Sequence, residues 1–236
     1  MTDDPREPIP PADSLTWCSS TPPGTDLREC DASMARRGMV RVRTLVQMRR
    51  SLPLDEEARS GIPRIATRSF DPGSDAEALL EVNNAAFWWH PEQGHWDRAR
   101  LDEALGQDWV EPEGILVHEA SGRDGGQAGT LDAFCWTRVH PARPGNDAAE
   151  PEPALGEIWV VASHPRVHGS HLGPAIVAAA LDHLHASGLR TANLFTEADN
   201  LPALRMYERM GFHVHEQRGG YMPEATAAAG SGGGDR

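Results

Sequence analysis

The chain has 236 residues, with 22 Lys and Arg against 35 Asp and Glu, a formal net charge of -13 and 39% hydrophobic residues. That length can bury a substantial core, either as one large domain or as a domain of about 150 residues with extensions. The acidic balance argues against nucleic acid as a partner, because phosphate binding needs clustered Lys and Arg, and no uninterrupted apolar run approaches the roughly 20 residues that span a bilayer. The acidic N-terminus does not read as a secretory signal, so a cytoplasmic location is expected. Cys18, Cys30 and Cys135 are an odd number without metal-ligand spacing, and Cys135 lies in an apolar, strand-like run as a buried thiol.

Residues 1–37 are rich in Pro, Asp and Ser and lack apolar periodicity, so they are expected to be a disordered extension. "MVRVRTLVQM" (39–48) alternates as a strand, and "RRSLPLDEEARSGIP" reads as a linker, giving a strand-and-linker segment over 38–62. The main domain is expected over 63–224. It opens with a strand at 64–70 and a helix in "DPGSDAEALLEVNNAAF", with Ala76, Leu79, Val82 and Ala86 facing inward. The loop "WWHPEQGHW" (88–96) packs three tryptophans, two histidines and a carboxylate into nine residues, rings that should cover a core edge or line a pocket.

A polar helix, "DRARLDEALGQ", follows, and then strands at 114–120, 130–139 and 156–162. "PAIVAAALDHLHASG" puts Ile176, Val177, Ala180, Leu181 and Leu184 on one helical face and stops at Gly188. "TANLFTEA" is a strand, "DNLPALRMYERMG" a helix capped by Asp199 or Asn200, and "FHVHEQ" and "GGYMPE" two closing strands. Residues 225–236 are small and Gly-rich, a flexible tail. The order implies an α/β fold, with a mixed sheet flanked by helices.

Two strand-loop-helix units stand in succession between Glu157 and Leu201, each with a helix N-terminus at the carboxyl end of its strand, where an open α/β sheet places its ligand. A ligand with a pyrophosphate and a long polar arm fits that layout. Glu157 is either an exposed strand-end carboxylate or a base facing the cleft.

"GEIWVVASHPRVHGSHLGPA" and "LFTEADNLPALRMYERMGFHVH" resemble the acetyl-CoA-binding core of the GCN5-related N-acetyltransferases. More narrowly, "NNAAFWWHPEQGHW", "FCWTRVHP", "GEIWVV" and "FTEADNLPALRMYERMGF" resemble the catalytic C-terminal half of the mycothiol synthase family, over about residues 39–223. The resemblance implies a mixed, mostly antiparallel sheet. It also implies acetyl transfer from acetyl-CoA, without a metal, to the cysteinyl amine of cysteinyl-glucosaminyl-inositol or a related small amine. That family joins two such domains in tandem, and only "MVRVRTLVQMRRSLP" matches the last strand and exit linker of its first domain. A homodimer could replace that half, because strand 39–48 would otherwise leave an unpaired edge.

By the same resemblance, Glu157 is the general base, working through water, and Tyr207 the acid that protonates the departing CoA thiolate. The backbone of Val161, Ala162 and Ser163 pairs with the pantetheine arm and offers an oxyanion N–H. Glu92, Arg138 and Phe195, together with Glu157, line the acceptor; Arg138 stands in for a Lys and Phe195 for a Tyr, changing one geometry and removing one hydroxyl. Asn200, Leu201, Pro202, Ala203, Leu204 and Arg205 match the second CoA segment. Read from spacing alone, Tyr207 could equally pack between Leu204 and Met210.

The pyrophosphate loop, His168, Gly169, Ser170, His171, Leu172, Gly173 and Pro174, departs from the family pattern of Gln or Arg, two residues, Gly, one residue, Gly or Ala. Only Gly173 fits, and the imidazole at 171 takes up room that glycine leaves open, which weakens the loop. A protonated imidazole could still meet phosphate, and Gly169 could relieve crowding. A metal site of His164, His168 and His171 would need a helix through Pro165 and Gly169 and is disfavoured. The departures at 171 and 195 also leave open a degenerate domain that binds acyl-CoA or a protein partner without catalysis.

Overall fold

In the computed structural model, residues 9–20, 25–120, 129–145 and 151–230 are described. They contain, in chain order, β1 (Thr16–Ser19), α1 (Arg28–Ala35), β2 (Met39–Ser51), α2 (Glu56–Arg59), β3 (Arg68–Ser69) and α3 (Ala76–Ala86). After these come α4 (Arg98–Leu105), β4 (Ile115–Glu119), β5 (Leu131–His140), β6 (Leu155–Ser163) and α5 (Leu172–Ala186). The last elements are β7 (Thr191–Glu197), α6 (Leu201–Arg209), β8 (His213–Pro223) and α7 (Glu224–Gly230). They form two compact units, residues 1–49 with 195–208 and 212–236, and residues 50–194 with 209–211. The units do not follow a 38–62 linker and a 63–224 domain, because β2 and β7 each run from one unit into the other.

In the larger unit β5 is central, antiparallel to β4 on one side and to β6 on the other, while β6 is parallel to β7 and β3 pairs with β4 at the far edge. The strand expected at 64–70 shrinks to Arg68–Ser69. Its hold is a salt bridge from Arg68 to Asp75, and Asp75 stands at the N-cap of α3. One face of this sheet carries Phe134, Trp136, Val160 and Ala162 against Leu79, Leu80 and Val82 of α3 and Leu101 of α4. The other face takes α5, whose Ile176, Val177, Ala180, Leu181 and Leu184 are buried as the periodicity predicts. Gly156 makes that docking close: a Cβ there would lie 2.8 and 2.9 Å from the Leu184 methyls and 3.0 Å from Leu189.

The smaller unit corrects four expectations. The segment read as a disordered extension contains β1, paired antiparallel with β8, and α1, and Cys18 and Cys30 join the two in a disulfide; residues 1–8 and 21–24 lie outside the described ones. Its order has a physical cause that the loop-like composition hides. Leu27, Cys30 and Met34 bury against Tyr221, whose hydroxyl donates to Asp31 at 2.8 Å. The two closing strands are one, β8, pairing with β2 over its length with two register shifts. Strand 39–48 is therefore not an unpaired edge: β8 lies on one side, and Thr44 accepts from the Ala198 N–H on the other. The reason for expecting a homodimer falls away with it. At the C-terminus, residues 225–230 of the expected flexible tail belong to the helix Glu224–Gly230, and 231–236 lie outside the described residues. Cys135 is a free, buried thiol, as expected, and burial pushes its pKa up.

Candidate active site

Glu157 is brought into position by a bulge. The β5–β6 ladder pairs Trp136 with Val160 but Thr137 with Ile158, so Trp159 is an extra residue on β6. The shift sets Glu157 opposite Arg138 instead of Val139, and directly opposed residues of an antiparallel pair share a face. Glu157 thus joins Trp136, Arg138 and His140 on one side of the sheet. Its carboxylate is buried, and its Oε2 lies 2.6 Å from His140 Nε2. On its other flank the parallel register places Asn193 of β7, which is buried and whose side-chain oxygen has no hydrogen-bond partner.

Arg138 stacks its guanidinium over Trp109, 4.4 Å from the ring centroid, and its buried Nε has no partner. Trp109 in turn meets Trp159 edge-on at 5.0 Å, and Trp159 meets Trp136 at 4.9 Å. Residues His140, Asn193 and Trp109 were not singled out in the sequence. A period-two count forward from Arg138 could have found His140, but Asn193 and Trp109 become neighbours of the site only through strand pairing and loop return.

The β6–β7 register covers Gly156 to Ile158 and stops there, so Val161, Ala162 and Ser163 lie on β6 beyond that pairing. After Ser163 the chain is pinned back to β5: the His164 N–H donates to the Asp132 carbonyl, Arg166 Nε meets Asp132 Oδ1 at 2.9 Å, and Arg166 also donates to the Leu131 carbonyl. His164 caps the short turn Pro165–Val167 by accepting from the Arg166 N–H. Burial, and then the Arg166 charge, hold the His164 imidazole below its ordinary pKa.

His168, Gly169, Ser170 and His171 are exposed, and Leu172 begins α5 with Gly173 and Pro174 in its first turn. His171 sits at the N-cap with φ 62° and ψ 17°, the left-handed conformation that glycine adopts most easily. The backbone shape expected of glycine is therefore kept by a histidine, with its ring toward solvent rather than packed into the loop. The first-turn N–H groups of such a helix have no partner within it. Among the described residues, no group of three or more His, Cys, Asp or Glu side chains is placed to hold a metal ion.

Glu92 belongs to a loop wired to α3. Asn84 both accepts from the Trp96 N–H and donates to its carbonyl, Asn83 donates to the Gln93 carbonyl, and Trp96 Nε1 donates to the Glu92 carbonyl at 2.8 Å. The N–H groups of Glu92 and Gln93 both point at His90 Nδ1. Gly94 is obligatory here, since a Cβ would lie 2.2 Å from the Phe87 carbonyl oxygen. Of the three tryptophans, Trp96 enters the core and Trp88 is exposed.

In the smaller unit, Phe195 carries Arg218 over its ring at 4.6 Å. Asn200 is the α6 cap, its side-chain oxygen accepting from the Ala203 N–H at 3.3 Å. Within that helix Leu201, Pro202 and Arg205 are exposed, while Ala203 and Leu204 are half-buried. Tyr207 is buried with its ring edge-on to Phe212 at 5.7 Å.

The strand order of the larger unit, with β6 bulged at Trp159 and parallel to β7, carries the motifs quoted above on adjacent strands. Residues 82–212, more than half of the chain, match the profile described as the acetyltransferase (GNAT) family. The chain belongs to this family. It is 41% identical over 192 residues to a protein named mycothiol acetyltransferase from Segniliparus rotundus, covering 81% of this chain and 68% of that one. A protein of the same name from Tsukamurella paurometabola is 39% identical over 197 residues, covering 83% and 64%. The chain thus spans roughly two thirds of these relatives' length, and only 52% of a third, from Acidimicrobium ferrooxidans. In fold it is similar to a GCN5-related N-acetyltransferase from Sphaerobacter thermophilus, with a TM-score of 0.62 and 20% identity, covering 90% of this chain and 61% of that one. No helix among the described residues is long and apolar enough to cross a membrane.

Proposed function

We propose that this chain transfers acetyl from acetyl-CoA to the cysteinyl amine of cysteinyl-glucosaminyl-inositol, giving mycothiol, or to a related small amine. The observation that carries the proposal is Glu157, a buried carboxylate set by the Trp159 bulge beside His140, Arg138 and Asn193 in a chain of this family. An alkyl ammonium must lose a proton before it can attack, and Glu157 takes it through water. The neutral amine then adds to the thioester carbonyl, a backbone N–H of the β6 end at Val161, Ala162 and Ser163 stabilises the oxyanion, and the intermediate expels CoA thiolate, which Tyr207 protonates. Residues 168–174 take the pyrophosphate and Asn200 to Arg205 the second CoA segment; Glu92, Arg138 and Phe195 hold the acceptor. The compartment we propose is the cytoplasm.

A second reading, a domain that binds acyl-CoA or a protein partner without catalysis, is favoured by His168 and His171 in the pyrophosphate loop. Calorimetric titration of acetyl-CoA into the chain and its Glu157→Gln variant separates the two. Micromolar binding to both, with Glu157-dependent CoA release on adding cysteinyl-glucosaminyl-inositol, is the expected result. Binding without CoA release would leave an acyl-CoA-binding domain, and absence of binding to either would leave a domain that engages a protein partner.

A further inference from the structure

A buried base that gains a proton in each turnover must hand it on before the next. The Glu157 side chain is 8% exposed, and its partner His140, at 2.6 Å, is 31% exposed. We infer that His140 is the proton exit of Glu157, relaying to solvent the proton that the carboxylate removes from the acceptor ammonium; the inference rests on the acetyl-transfer reading. Among the described residues beside Glu157 on the sheet, the geometry favours this one. Arg138 lies on the same face but carries no removable proton, its guanidinium is committed to the Trp109 ring, and Asn193 on the opposite flank is an amide. Thr137 and Val139, the alternating residues of β5, face away.

The protons balance. Of the two that the ammonium loses, one passes to Glu157 before attack and the other ends on the CoA thiolate. With Glu157 ionised, His140 Nε2–H donates to Oε2. Once Glu157 holds the ammonium's proton, exchange with water moves the imidazole proton to Nδ1; Glu157 Oε2–H then transfers its proton to Nε2 while Nδ1 releases one to water, which restores the Nε2–H donor and leaves Glu157 ionised for the next amine.

His140→Gln keeps a donor for the carboxylate but cannot relay, and His140→Gly opens a space that free imidazole can enter. We expect His140→Gln to lower kcat by about tenfold to a hundredfold with KM for acetyl-CoA unchanged. Imidazole should restore His140→Gly in proportion to its concentration. A His140→Gln enzyme with wild-type kcat, or a folded His140→Gly enzyme that imidazole does not restore, would overturn the relay. Pairing is read without turnover from the 15N resonance of His140 Nε2, which should move in Glu157→Gln; an unmoved resonance also overturns it. A wild-type chain that acetylates no amine, but whose His140 resonance still responds to Glu157→Gln, would overturn the acetyl-transfer reading and the relay with it, leaving only the paired geometry.

Discussion

Replacing Arg166 by Ala tests what holds the chain between β6 and α5. Arg166 Nε lies 2.9 Å from Asp132 Oδ1, with side-chain exposures of 18% and 4%, and a second guanidinium nitrogen lies 3.6 Å from Glu81. Removing one partner of a buried ion pair leaves the other charge uncompensated and costs about 3–5 kcal/mol. Water reaches Arg166 from one side, which puts the expected loss at the low end, about 3 kcal/mol. For a chain of this size each kcal/mol lowers Tm by about 2–4 °C, so calorimetry should record a drop of about 6–12 °C. Urea denaturation should show a lower midpoint at unchanged slope. Replacing both partners, Arg166→Met with Asp132→Leu, should recover much of the loss, because neither charge is then stranded. A drop below about 1 kcal/mol, or losses that simply add in the double variant, would refute the argument that this pair anchors the loop.

Three further outcomes follow from the same structure. In Gly156→Ala the new methyl meets Leu184 and Leu189 within 3.0 Å and should cost about 1–3 kcal/mol by overpacking; a guanidinium midpoint equal to wild type would contradict the close docking of α5. His171→Gly relieves about 1–2 kcal/mol of left-handed strain at φ 62° against about 0.5–1 kcal/mol of glycine's chain entropy, so Tm should rise slightly, and a fall would show that the imidazole contributes contacts of its own. Stability should decline in two steps as pH falls. His164, held low by burial and Arg166, stabilises the fold above the ordinary histidine value of about 6.5 and loses that contribution as pH drops through its depressed folded value, a step that His164→Gln removes. Asp75, held low by the Arg68 hydrogen bond, contributes above the ordinary aspartate value of about 3.9 and loses it below, a step that Arg68→Met removes; pH melts of the variants read both.

The local elements were legible because their signals are local. Apolar spacing marks α5, Asn200 caps α6, and the alternation of 39–48 is a strand extending to Ser51. The motifs single out Glu157, Glu92 and Tyr207 from residue type and order, and these residues lie on β6, in the loop after α3 and on α6. The N-terminal segment was not legible: its few apolar residues bury against Tyr221, almost two hundred positions away, and its disulfide closes between β1 and α1. Nor could composition tell that β8 would run unbroken along β2.

What the sequence determined by itself is the main strands and helices between residues 39 and 212 and the family, since propensity, capping and motif spacing act over a few residues. What only the tertiary structure decided is the face of the sheet that carries Glu157. By period-two alternation within β6 alone, Glu157 would lie with Trp159 and Val161, on the side opposite Val160. The extra residue at Trp159 reverses this by shifting the register against β5, which brings Glu157 beside Arg138 and His140. A bulge is a property of two paired strands, so neither strand's own residues could announce it.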